Sequence, residues 1–178
     1  MLNFSSIPRK DRIIVALDCD RSRALELADM LTMHAIGGIK MMQAAKEGLA
    51  QARWVDTEPI SLGITVLTSM SAEDLELTGV TRSVTDQVIE LAKQAKEAGL
   101  SGVVASPQEA LMLREVLGND AYIVTPGVRP VGSDLSDQSR VSTPKQAFDN
   151  GASHIVVGRP ITEQADPVAA FEAIAKEL

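Results

Sequence analysis

Apolar residues in this chain fall into two patterns that alternate along its length. Short continuous runs occur at Ile13–Leu17, Ile60–Leu67, Gly102–Ala105, Tyr122–Val124 and His154–Val157. Unbroken runs of this kind suit strands covered on both faces, as in a parallel sheet. Between them lie stretches whose apolar positions recur three or four apart. A helix is predicted over about 22–31, with Leu25, Ala28 and Leu31 on one face. A second is predicted over 38–52 with Ile39, Met42, Ala45 and Leu49, and a third over 83–98 with Val88, Leu91, Ala92 and Ala95 inward and Gly99 as its stop. Ser106-Pro107-Gln108-Glu109 reads as a capping box that opens a helix reaching Leu117, with Gly118 ending it. Thr143-Pro144-Lys145-Gln146 is a second capping box, whose helix stops near Gly151. Asp166-Pro167 opens a last helix carrying Val168, Phe171 and Ile174.

Strands alternating with helices predict an α/β fold on a parallel sheet. No linker or low-complexity tract divides the chain, so residues 1–178 form one expected domain. A (β/α)₈ barrel takes ~250 residues, or ~200 at the low end. Here there are five clear strands and a weaker one around Met33–Ala35. Only Thr32 separates the first predicted helix from that strand, whereas such connections take ~2–6 residues. The pattern is that of a (β/α)₈ barrel short of about two β/α units, on the order of 60 residues, near residues 31–34. Residues left out between consecutive numbers, a true deletion, or an intact smaller α/β fold would each account for it. Omission predicts a Cα step within 29–34 well beyond the ~3.8 Å of a trans peptide.

Net charge is −7, which argues against nucleic-acid or anionic-membrane partners. No apolar run approaches the ~18 residues of a membrane span. A single cysteine, Cys19, excludes an intrachain disulfide. A cytoplasmic protein is expected.

In a β/α barrel, chemistry gathers where strands end. Asp18 ends the first run and would either accept hydrogen bonds from sugar hydroxyls or complement a helix dipole. Thr68 and Ser69 follow the run 60–67, where hydroxyls hold a ligand or satisfy turn backbone. Thr125-Pro126-Gly127-Val128-Arg129-Pro130 opens a long loop over 126–142. Arg129 offers a guanidinium for phosphate, and Gln138 could fold back onto a ligand. Gly158-Arg159-Pro160 places a glycine, an arginine and a helix start after the last strand, a recurrent phosphate-binding arrangement. His154 stands at a strand start and reads as structural. His34 and Cys19 lack evident catalytic partners. No metal-ligand spacing and no dinucleotide glycine motif is present.

In order, IIVALD ending at Asp18, HAIGG (34–38), TVLTSM (65–70), GVVAS with QEA (102–110), TPGVRP (125–130), DQ (137–138), TP (143–144) and GRPIT (158–162) resemble the orotidine 5′-phosphate decarboxylase family. The resemblance implies a (β/α)₈ barrel, usually a homodimer, that uses no metal or organic cofactor. Its reaction converts orotidine 5′-monophosphate to uridine 5′-monophosphate in pyrimidine biosynthesis. Carried over by motif, Asp18 contacts the ribose and Thr68 lies in the nucleotide site. Arg129, Gly158 and Arg159 hold the phosphate, and Gln138 sits on the closing loop. The family's K-V-G segment and D-x-K-x-x-D motif, with the lysine that protonates the pyrimidine carbon, are absent here. No catalytic residue is therefore assigned. A catalytically inactive nucleotide-binding remnant is the alternative. A related phosphate-sugar aldolase or decarboxylase fits the TPGVRP-to-DQ loop less well.

Overall fold

The computed structural model describes residues 13–14, 29–51, 59–129 and 142–178. The expectations for Asp18, Cys19, Gln138 and the first helix as far as residue 28 lie outside the described residues.

Among the described residues six strands form one sheet: β1 (Ile13–Ile14), β2 (Met30–His34), β3 (Ile60–Ile64), β4 (Gly102–Val104), β5 (Tyr122–Thr125) and β6 (His154–Val156). Their order is β1-β6-β5-β4-β3-β2, and every pairing is parallel. In a closed barrel of successive β/α units, first and last strands are neighbours and all others pair in sequence. This sheet follows that order everywhere except between β1 and β2. The missing units therefore belong between those two strands.

That finding moves the expected break. Met30–His34 is one unbroken strand in register with Ile60–Ile64, so no chain gap lies within 30–34. Met30 and Leu31 are strand residues rather than the end of a helix, because their backbone pairs with Ile60 and Ser61. The weak strand expected at 33–35 starts three residues earlier, and Ala35–Gly37 is a 3₁₀ turn.

The described helices are α1 (Ile39–Gln51), α2 (Ala72–Leu77), α3 (Val84–Glu97), α4 (Ala110–Leu117), α5 (Pro144–Asp149), α6 (Arg159–Thr162) and α7 (Pro167–Lys176). The pattern did not predict α2. It is a six-residue helix closed by a reciprocal Ser71–Asp74 capping box. The box expected at 106–109 forms only in part. The Glu109 carboxylate accepts the Ser106 N–H at 3.0 Å, but the Ser106 hydroxyl takes the N–H of Gln108. As a result α4 begins at Ala110 rather than Pro107. The box at Thr143–Gln146 forms in full. In α7, Ile174 is buried but Val168 is 69% exposed, so the apolar face is narrower than its spacing suggested.

Strand register separates the two faces of the sheet. A Cβ on Gly63 would stand 3.0 Å from the Ala95 side chain on α3, so Gly63 faces the helices. Its register partners Met33 and Val103 share that face, as does Ile123 beyond them. Val103 and Ile123 are buried with Met42, Val88, Leu91 and Leu113 in the main core. Ile155 and Val157 anchor a second cluster with Val128, Ala147, Ile161 and Ile174. The opposite face is the barrel interior, and Tyr122 and His154 meet there with ring centroids 5.7 Å apart. On that face Thr32 and His34 are exposed.

Candidate functional site

The carboxyl ends of β3, β4 and β5 share one edge of the sheet. A small cavity of about 80 Å³ opens there, lined by Val66, Thr68, Ser69, Val104, Ala105 and Pro126 among others. Ligand pockets commonly measure ~300–1,000 Å³, so this cavity is by itself too small to enclose a nucleotide. Thr68 is 8% exposed. The turn that carries it begins where Thr65 leaves β3, and the Thr65 hydroxyl donates to the Val104 carbonyl at 2.9 Å. That bond ties the turn to the next strand. Ser69, Ala105 and Pro126 complete the wall. Of these, the sequence had marked Ser69 and the proline of TPGVRP, while Ala105 was read as the last residue of a strand that in fact ends at Val104.

The two arginines sit at matching places. Thr125 and Ile155 are register partners on β5 and β6, and the Thr125 hydroxyl donates to the His154 carbonyl at 3.4 Å. Arg129 follows Thr125 by four positions (125 to 129), and Arg159 follows Ile155 by four (155 to 159). Both thus leave the carboxyl ends of adjacent parallel strands, on the same rim as Thr68.

Arg129 is 8% exposed, which for a guanidinium demands partners. Its backbone N–H donates to the Ser142 carbonyl at 3.0 Å, and Nη1 donates to the Val128 carbonyl at 3.2 Å. Val128 and Ser142 also form a parallel bridge. The two ends of the loop over 126–142 are therefore pinned together at its base. Gly127 precedes this bridge at φ 75°, a conformation that glycine adopts without a Cβ clash. Ser142 was not singled out in the sequence. The capping box at Thr143 was the available signal, because it fixes where the chain re-enters the fold.

Gly158 caps the four-residue helix α6, whose first residue is Arg159. A Cβ at Gly158 would meet nothing within 4 Å, so the backbone there is open to close approach. His154 lies at the opposite, amino end of its strand, 5% exposed, with Nδ1 3.2 Å from the Ser153 hydroxyl. Its structural reading holds. His34 is exposed at the end of β2. Asp18 and Gln138 are outside the described residues.

A family sequence profile described as Orotidine 5′-phosphate decarboxylase / HUMPS family matches residues 12–174. A protein named orotidine 5′-phosphate decarboxylase from Pseudoalteromonas translucida is 50% identical over 149 residues, 84% of this chain and 63% of its own length. A second of that name, from Hydrogenovibrio crunogenus, is 44% identical over 97% of this chain and 70% of its own length. The crystal structure of the orotidine 5′-phosphate decarboxylase from Lactobacillus acidophilus superposes with TM-score 0.73 at 38% identity, covering 93% of this chain and 74% of that one. The chain thus spans under two thirds of the length of the Pseudoalteromonas relative. The chain belongs to the orotidine 5′-phosphate decarboxylase / HUMPS family.

Proposed function

We propose that this chain carries the phosphate-binding side of an orotidine 5′-monophosphate decarboxylase, a carboxy-lyase of pyrimidine biosynthesis. The observation that carries the reading is the placement of Arg129 and Gly158-Arg159 at equal distances past register-paired strands, on the rim that also bears Thr68. Two guanidinium groups and an open glycine backbone suit the doubly charged phosphate of a nucleotide. In this reading Asp18 meets the ribose, Thr68 lies against the nucleotide, and Gln138 reaches in from the loop pinned at Val128 and Ser142. The proposal extends to a cytoplasmic homodimer with a small-molecule nucleotide as ligand and no cofactor.

Chemistry needs a further group. Loss of CO₂ leaves negative charge on the pyrimidine carbon, and a cationic acid must stabilise and then protonate it. The family motif that supplies this lysine is absent from the sequence. Lys40 is no substitute, since it lies in α1, after the HAIGG turn. The 178 residues alone therefore bind nucleotide phosphate with negligible turnover.

Calorimetric titration tests the binding. Uridine 5′-monophosphate should bind and uridine should not. Arg129→Ala or Arg159→Ala should each weaken the nucleotide by about 10- to 100-fold, in line with ~1.5–3 kcal/mol for a charge-assisted hydrogen bond. Equal affinity for nucleotide and nucleoside would overturn the assignment. Decarboxylation of orotidine 5′-monophosphate by the mass-verified chain would overturn the inactivity.

A further inference from the structure

The Ile60 N–H donates to the Asp29 carbonyl at 2.9 Å. In a parallel ladder, alternate residues direct both backbone groups to the same side. Asp29, Leu31 and Met33 therefore bond to β3, while Met30, Thr32 and His34 direct N–H and C=O away from it. Among the described residues nothing pairs with that outer edge. The strand MLTMH carries neither a lysine nor a proline, the usual devices that blunt an open edge. Its two faces differ. Met33 packs on the helix-side core, whereas Thr32 and His34 are exposed toward the barrel interior.

We propose that this edge is a docking site for one kind of partner: a β/α segment of a family member, adding in parallel to β2. The edge fixes the partner's chemistry. The added strand must be apolar where it flanks Met33 and polar where it flanks Thr32 and His34, and its helix must extend the core over Met33. The gap in strand order between β1 and β2 is where such a segment belongs, and the Lactobacillus structure is covered by this chain over only 74% of its length. A second copy of this chain is a poorer occupant. It lacks the same units, and two-fold pairing of β2 with itself would run antiparallel. The inference rests on the family reading but not on the phosphate site, so nucleotide titration of the chain alone separates a failure of one from a failure of the other.

The test mixes the full chain with the segment of the Pseudoalteromonas relative that lies between its counterparts of Ile14 and Met30. Native mass spectrometry should show a 1:1 complex, and hydrogen exchange at the Thr32 and His34 amides should slow at least tenfold. His34→Pro removes one outward N–H at a residue whose φ of −71° already suits proline. It should weaken the complex at least tenfold, while His34→Ala should leave it intact. Should His34→Pro disturb the sheet by circular dichroism, Thr32→Pro takes its place. No complex, unchanged exchange, equal binding by the proline and alanine variants, or a homodimer with a protected β2 would overturn the proposal.

Discussion

Individual side chains settle how the strands beneath the rim are held at their amino ends. Arg114 donates to the carbonyls of Gly118 (3.0 Å), Ala121 (2.7 Å) and Gly151 (2.7 and 3.3 Å). It ties the ends of α4 and α5 to the starts of β5 and β6, the two strands that carry the arginines. Desolvation lowers its pKa, the expected effect of burying a cation. Arg114→Ala should cost about 2–3 kcal/mol, because several carbonyls lose a charged donor. Gly127→Ala should cost about 1 kcal/mol through its positive φ. Urea denaturation monitored by circular dichroism measures both. Of the two, only Gly127→Ala should also weaken uridine 5′-monophosphate, since it alters the backbone leading to Arg129. Arg114 was not legible in the sequence, where it is one charged position on a helix, whereas Gly127 stood out between two prolines.

Among the elements, caps carried more information than apolar spacing. Thr143 and Gln146 exchange hydrogen bonds at 3.2 and 3.1 Å, so Thr143→Ala should destabilise α5 by ~1 kcal/mol in the same denaturation assay. Ser71 and Asp74 form the matching pair in α2. Donation from the Ser71 N–H, and then from its hydroxyl, holds the Asp74 carboxyl below its ordinary 3.8. A depressed carboxylate pKa adds stability that is present above the unfolded-state value and lost as pH falls through the folded one. Amide exchange in α2 should therefore speed up selectively below about pH 4, and Asp74→Asn should remove that pH dependence. The box at Thr143 was readable because its partners lie within four residues of each other, whereas the equally local box at Ser71 was missed. The box at Ser106 misled because Pro107 and the buried Glu109 shape a turn there, and α4 waits until Ala110. Strand ends were overestimated where apolar residues continued into the rim, as at Val66 and Leu67 beyond Ile64.

For the whole molecule, the open edge dominates. Six parallel strands do not close with the tilt and stagger of eight, and an unprotected edge favours association. Thr32→Lys, by charging the exposed face of β2, should weaken association with the added β/α segment at least tenfold by native mass spectrometry. A Thr32→Lys variant as prone to associate as the parent would show that the edge is not responsible.

The sequence alone determined the class of fold, the order of its elements and the candidate phosphate residues. These follow from local rules: apolar periodicity, caps, and motifs whose order survives the missing units. Which strands pair, and therefore where the units are missing, was decided only in three dimensions. The same holds for the placement of Arg129 and Arg159 past adjacent paired strands, the clamp between Val128 and Ser142, and the outward amides of β2. Each depends on register between segments far apart in the chain, and register is set by packing against partners that no local stretch of sequence contains.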